Sequence, residues 1–269
     1  MKKNVNLTYY GWSSFILETN GGRLAFDPIF RGLFGGSWSR MEDYENLQVV
    51  CVTHGHYDHY VDVPSILRHT GAVGVSSAHV CNHLSRKYRI PDGQLRTIRP
   101  NERVEVGDFK ITAFEWGHRE ISYKKFFREG LLRAQILPTL QFAWLNFMGS
   151  PFTAPFFGYL VECPGGLKVM NYCEGFSDAM DQKNLRTLAE RFHPDVALAG
   201  AQLNFQDYVS KGVGILAPKK VFLFHPHFSM FSKLGLASAL LEAFAAQARE
   251  ENPNTEVITC EPAMTYSLG

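Results

Sequence analysis

Short runs of apolar or alternating residues, each closed by turn residues, dominate the chain and recur in two rounds. In the first 27 residues "LTYYG", "SSFILET" and "RLAFD" read as strands. The last two are joined at Asn20-Gly21-Gly22, where glycine takes the positive φ that a tight antiparallel turn needs. "LQVVCVT" follows as a buried strand. "DVPSILRHTG" then reads as a helix, with Asp62 as N-cap, Pro64 in the first turn and Gly71 as the stop. "AVGVSS" as a strand and "AHVCNHLSRKY" as a helix complete the first round.

The second round opens with "ERVEVGDFKITAFEW", a hairpin around Gly107-Asp108. "FFGYLVEC" and "LKVMNY" pair around Pro164-Gly165-Gly166, and a helix is predicted over 178–191. "DVALAG" and "KVFLFHPH" are short buried strands, "KLGLASALLEAFAAQARE" is one long amphipathic helix, and "TEVITCE" is a closing strand. Two rounds of strands feeding helices predict an α/β protein of the layered or sandwich kind. The sequence contains no GxGxxG and no GxxxxGK[ST], which argues against a doubly wound nucleotide fold. No low-complexity linker or charge block divides it, so 1–269 reads as one domain.

Composition narrows the partners. Lys plus Arg (27) nearly balances Asp plus Glu (26), for a net charge of +1, so nucleic acid is not favoured. Five cysteines, an odd number without CxxC spacing, argue against a disulfide framework and for a reducing compartment. "MKKNVNLTYYGW" lacks the apolar core of a secretory signal, and a cytoplasmic location is expected.

The chemistry is concentrated in "THGHYDH", where His54, His56, Asp58 and His59 crowd the end of a buried strand. Residues two apart in extended backbone point the same way, so His54 and His56 suit one ion. Asp58 and His59, in a turn, suit a second. Two cations about 3.5–4 Å apart clamp a scissile ester or phosphate. Gly55 lets the backbone turn there. His and carboxylate donors without thiolate suit Zn, Mn or Fe, with zinc the first choice.

His-x-His-x-Asp-His resembles the signature of the metallo-β-lactamase superfamily. "YYGWSSFILETNGGRLAFDPIF" resembles the opening hairpin of its cytosolic hydrolases, closest to the group of the ascorbate-6-phosphate lactonase and the N-acyl-phosphatidylethanolamine phospholipase D. Trp12 stands where that group usually has histidine. The resemblance spans essentially the whole chain and implies a four-layer αββα sandwich, the metallo-β-lactamase fold, with a dinuclear site at one edge. It implies His118 of "TAFEWGHRE" as the third histidine of the first metal. Glu174 of "VMNYCEGFSD" falls where the bridging acid, usually Asp, belongs. In "HPHFSMF" His227 takes the ligand place, with His225 supporting or packing beside it. Cys173 is either a soft alternative ligand or a buried thiol, and Asp178 is the N-cap of the next helix. Asp27 in "AFDPIF" is either a turn residue or a carboxylate that orients a ligating histidine. His69, His79, His83 and His193 read as structural and without partners.

The activity so implied is hydrolysis, with a metal-bound hydroxide attacking a phosphodiester, lactone or similar ester and Asp58 both ligating and orienting it. The superfamily's diiron flavoproteins typically carry Glu at the position of His56, which favours hydrolysis over redox chemistry. A non-catalytic metal-containing binding or sensor protein is the alternative, should Glu174 fail to hold a second ion. An apolar insert is expected at about 121–157: from Leu131 to Met148 the only charge is Arg133, and Lys124, Lys125 and Arg128 precede it. Pro138 should break any helix there. The segment is too interrupted to span a bilayer. Its readings are core packing, a homo-oligomer interface, a pocket lid or an interfacial membrane helix, with interface and lid placed ahead of membrane contact. As a lid it implies a small-molecule substrate with an acyl or aromatic part, and Lys124, Lys125 or Arg128 would meet a phosphate or carboxylate.

Overall fold

The structure is a computed structural model describing residues 4–31, 38–119 and 123–269. Residues 121 and 122, at the start of the expected insert, and the Lys125 side chain lie outside the described residues. The first round of strands is β1 (Val5–Tyr9), β2 (Phe15–Thr19), β3 (Gly22–Phe26), β4 (Leu47–Cys51), β5 (Val73–Ser76) and β6 (Leu95–Thr97). The second is β7 (Arg103–Val106), β8 (Phe109–Glu115), β9 (Phe157–Glu162), β10 (Lys168–Asn171), β11 (Val196–Gly200), β12 (Lys220–Phe224), β13 (Glu256–Thr259) and β14 (Met264–Ser267).

The first round builds one sheet, joined at its edge by β14 from the second, and β7 to β13 build the other, in the orders β14-β1-β2-β3-β4-β5-β6 and β13-β12-β11-β10-β9-β8-β7. Both sheets begin as an antiparallel meander and continue as parallel strands, from β3 in the first and β10 in the second. Parallel neighbours need crossovers, usually helical. Between the parallel strands lie α1 (Tyr57–Tyr60), α2 (Val63–Thr70) and α3 (Ala78–Tyr88) in the first round. The segment expected as an insert holds α4 (Tyr123–Leu132) and α5 (Ile136–Trp144). The second round adds α6 (Gln182–Phe192), α7 (Gln206–Leu216), α8 (Phe228–Lys233) and α9 (Leu241–Glu251).

The two-residue period of a strand sorts its side chains between two faces. Leu17, Leu24, Val49 and Cys51 meet Ile111, Tyr159, Leu198 and Phe222 between the sheets. Their neighbours Ile16, Ala25 and Val50 pack outward under α2 and α3. On the far side Ala197, Ala199, Val221 and Leu223 pack under α6, α7 and α9. Helix, sheet, sheet, helix is the expected αββα order. Each fully buried large side chain contributes about 1.5–3 kcal/mol relative to exposure, so both faces of both sheets hold the layers together.

Several local expectations change. The long helix read from "KLGLASALLEAFAAQARE" is helical only in its second half. α8 ends at Lys233, Gly235 takes φ +59°, and α9 starts only at Leu241. The helix expected over 178–191 starts at Gln182, because Asp181 and not Asp178 caps it, accepting from the N–H groups of Lys183 and Asn184. Asp62 holds the N-cap position of α2, but its carboxylate accepts from the N–H groups of Phe30 and Arg31 (2.7 Å each) and pairs with the Arg31 guanidinium. Pro138 lies in the first turn of α5, where its missing N–H goes unneeded, and the break falls before it, between α4 and α5. Helix α7 had no counterpart in the sequence reading.

Candidate metal centre

The clustered residues follow the C-terminal ends of five strands: Asp27 after β3, residues 53–59 after β4, His118 after β8, Glu174 after β10 and His227 after β12. Thr53 organises the first of these turns. Its N–H and its hydroxyl donate to the two carboxylate oxygens of Asp27, each at 2.7 Å. With its only proton committed there, the Thr53 hydroxyl oxygen accepts from His54 Nδ1 at 3.0 Å. His54 Nε2 is thereby left with its lone pair, buried and without a hydrogen-bond partner among the described residues.

The same logic repeats. His118 Nδ1 donates to the Arg119 carbonyl at 2.6 Å, leaving a buried Nε2 without a hydrogen bond among the described residues. His59 Nδ1 lies 2.8 Å from Asp27 Oδ2, which turns its Nε2 toward Asp58 (3.3 Å) and Glu174 (3.2 Å). Of the two readings of Asp27, the structure places it as the carboxylate behind a histidine of the cluster. Gly55 sits in a bend, and a Cβ there would come within 2.0 Å of the Pro151 carbonyl oxygen, so glycine also admits that segment.

Glu174 lies between two groups of donors. Its Oε2 is 3.3 Å from His118 Nε2, and its Oε1 is 3.2 Å from His59 Nε2 and 3.5 Å from His227 Nε2. Asp58 Oδ2 sits 3.1 Å from His227 Nε2. The donor atoms of His54, His56, His118 and Glu174 lie within 4.8 Å of one another, as do those of Asp58, Glu174 and His227. These two groups could each hold a cation, with Glu174 common to both.

Burial, then the neighbouring imidazoles of His59, His56 and His118, push the His54 pKa well down. Burial and His118 bring His56 to about 4. Burial opposes ionisation of Asp58 and Glu174, but the histidines around them outweigh it and hold both carboxyls well below their usual range. Burial likewise opposes the charged forms of His59 and His227, but Asp58, Cys173 and Asp27 raise His59, and Glu174 and Asp58 raise His227. Neutral imidazoles and ionised carboxylates are the forms that bind metal, so His54, His56, Asp58 and Glu174 stand in those forms, and His59 and His227 would release a proton to a bound ion.

His225 belongs to neither group. Its Nδ1 accepts from the His227 N–H at 3.3 Å, and its ring packs edge-on against Phe228. Cys173 Sγ is 3.3 Å from Thr53 Oγ1 and 3.8 Å from His59 Nδ1, behind the ring, and burial lifts its thiol to about 12. Its Sγ also lies within 4.8 Å of a donor atom of His54 and one of His59, a third group that could hold a metal. His83, read as partnerless, meets the Tyr60 hydroxyl at 2.7 Å.

Sequence reasoning missed the surround. Gln202, just past β11, donates to the Glu174 backbone carbonyl (3.0 Å) and to its Oε2 (3.3 Å). Phe152 stacks on His56 and Phe156 on His118. Asn146 Oδ1 accepts from the N–H of Tyr57, between His56 and Asp58, at 2.8 Å. The aromatic run "SPFTAPFF" was the available signal for the two phenylalanines, and nothing local marked Gln202. Trp12 meets His227 edge-on at 6.0 Å, its φ of +51° set in the turn after β1. Trp12 also walls an apolar cavity of about 410 Å³ lined by Trp38, His225, Phe228, Leu240 and Cys260.

Residues 6–156 match the family model described as the beta-lactamase superfamily domain, more than half of the chain and the half that carries the histidine signature. The chain belongs to the beta-lactamase superfamily. A protein from Chloroflexus aurantiacus named as a metal-dependent hydrolase is 26% identical over 98% of both chains. Another so named, from Chelativorans sp., is 33% identical over 40% of this chain, and the match spans 46% of that protein's length. Among solved structures, Igni18, a metallo hydrolase from Ignicoccus hospitalis, superposes with a TM-score of 0.70 at 21% identity over 99% of each chain. The αββα sandwich of this superfamily protein is therefore the fold that its signature implied.

Proposed function

We propose that this superfamily member is a metal-dependent hydrolase that holds two divalent cations and cleaves an ester-type bond, a phosphodiester or a lactone, in a small molecule. The observation that carries this reading is Glu174, whose two oxygens face two separate donor groups. The fit rests on this chain's own atoms: His54 Nε2 and His118 Nε2 are buried and make no hydrogen bond among the described residues, with His118 Nε2 facing Glu174 Oε2 at 3.3 Å. Leaving such groups unmet costs about 1–3 kcal/mol each.

His54, His56 and His118 would hold one ion, Asp58, His59 and His227 the other, and Glu174 would bridge them. The ions bound there would activate water at neutral pH and polarise the carbonyl or phosphoryl oxygen. Zinc is the first choice, with manganese and iron fitting the same donors. Asp58 would orient the attacking water, since its carboxylate lies at the junction of the two groups. Asp27 fixes the His59 ring, Gln202 fixes Glu174, and Phe152 and Phe156 exclude bulk water. The apolar cavity beside Trp12 suits an acyl or aromatic part of the substrate. The likeness of the opening hairpin to the lactonase and phospholipase D group points to the same bond types.

Screening the metal-loaded protein on phosphodiesters and lactones, beside Asp58→Asn, tests the reading. Turnover that falls at least 100-fold in the variant is expected. A protein with a full metal complement and no turnover on any ester would instead be the binding or sensor protein.

A further inference from the structure

The C-terminal end of α4 and all of α5 are apolar on both faces. The inner face is occupied: Phe127 and Phe142 pack with Trp12, Ile29 and Leu234, and Thr139 is buried. On the outer face Leu131, Leu132, Leu137, Leu140, Trp144 and Met148 are between 55 and 72% exposed. A helix that is apolar all round normally lies in a protein core or against lipid, and a contiguous exposed patch of this kind marks an interaction surface.

Charge decides between the occupants. From residue 123 to 161 the sequence holds Lys124, Lys125, Arg128 and Arg133 against the single acid Glu129, a net +3 on a chain whose total is +1. Lys124, Arg128 and Arg133 are exposed, and the Glu129 carboxylate is taken up by Arg128 at 2.8 Å. From 134 to 161 no charged residue occurs. A second copy seated on the same face would bring like charges together, which disfavours association. A bilayer with acidic headgroups satisfies both halves of the pattern.

We propose that the α4–α5 hairpin docks this protein on an anionic lipid surface, its leucines and Trp144 at the acyl boundary and its basic residues among the headgroups. At nine residues α5 is about 14 Å long, against a hydrocarbon core of about 30 Å, so it lies in the interface plane. Among the described residues no helix is long and apolar enough to cross a membrane. The hairpin is tied to the metal-site loop by Asn146 and Phe152, so lipid contact is made by the segment that packs on His56. This goes beyond the hydrolase reading and stands or falls without it.

The test is co-sedimentation of the full chain with vesicles of phosphatidylcholine alone and of phosphatidylcholine mixed with phosphatidylglycerol. Binding to the mixed vesicles that weakens with salt is expected. Leu137→Glu/Leu140→Glu should abolish it with melting temperature and circular dichroism unchanged. Lys124→Gln/Arg128→Gln, which leaves every leucine in place, should weaken it roughly 25-fold, at about fivefold per basic residue. No binding to the mixed vesicles at low salt, or binding that neither variant alters, overturns the proposal. A concentration-dependent dimer that the leucine variant dissolves, in a protein that ignores vesicles, overturns it too and assigns the face to a second copy.

Discussion

Asp27 Oδ2 and His59 Nδ1 stand 2.8 Å apart with both side chains fully buried, and the same carboxylate holds Thr53 by its N–H and its hydroxyl. One acid thus fixes the ring of His59 directly and that of His54 through Thr53. Asp27→Asn keeps the shape but forfeits the acceptor that orients His59. Metal affinity should fall about 10–100-fold, read by competition with a chromophoric chelator. An unchanged affinity would reduce Asp27 to a turn residue.

Gln202 acts on Glu174 in the same way from the other side. Gln202→Leu fills the space without the amide, leaving the Glu174 carboxylate free to rotate away from His118. Activity or metal affinity should drop about tenfold or more, within the range for partners of metal ligands, while Gln202→Glu should be worse, since it sets two carboxylates against each other. Steady-state kinetics and metal titration of the two variants check the order.

The 136–149 segment reports on the site through Asn146. Asn146→Ala strands the buried N–H of Tyr57, at a cost of about 1–3 kcal/mol, which for a chain of this size lowers the melting temperature by roughly 2–4 °C per kcal/mol. Gly55→Ala should do more, because its methyl would meet the Pro151 carbonyl. Thermal melts that do not move would mean that this segment sits more loosely on the loop.

Acid stability has a separate handle, away from the metal ligands. Burial opposes ionisation of Asp195, but its hydrogen bonds with Lys219 (2.7 Å) and the Lys168 N–H (3.0 Å) win and lower its pKa. A lowered folded pKa contributes stability above the unfolded value, about 3.9, and loses it as pH falls through the folded one. Asp195→Asn should therefore cost about 0.5–1 kcal/mol at neutral pH, a gap that closes below about pH 4. Urea melts across pH show whether it does.

Much of this was legible in the sequence because metal ligands leave local marks. The His54–His59 cluster, His118 and Glu174 each follow a recognisable strand, and strand ends in an αββα sandwich converge. The choice of His227 over His225 followed the resemblance, and the structure brings His227, not His225, to Asp58 and Glu174. What stayed hidden depends on tertiary contact. Gln202 matters only because β11 lies beside β10. Two aspartates three residues apart compete for one helix cap, and only packing selects Asp181. Apolar residues all around α5 give no period to read, so neither its inner nor its outer face could be assigned in advance.

The central claim is that Glu174 joins two cation sites. Its most direct test is the metal content per chain of protein purified without chelator, measured by elemental analysis for wild type and Glu174→Ala. About two divalent ions per wild-type chain, falling in the variant, is the result this account predicts. One ion or none, unchanged by the substitution, would contradict it and take Glu174 out of the site.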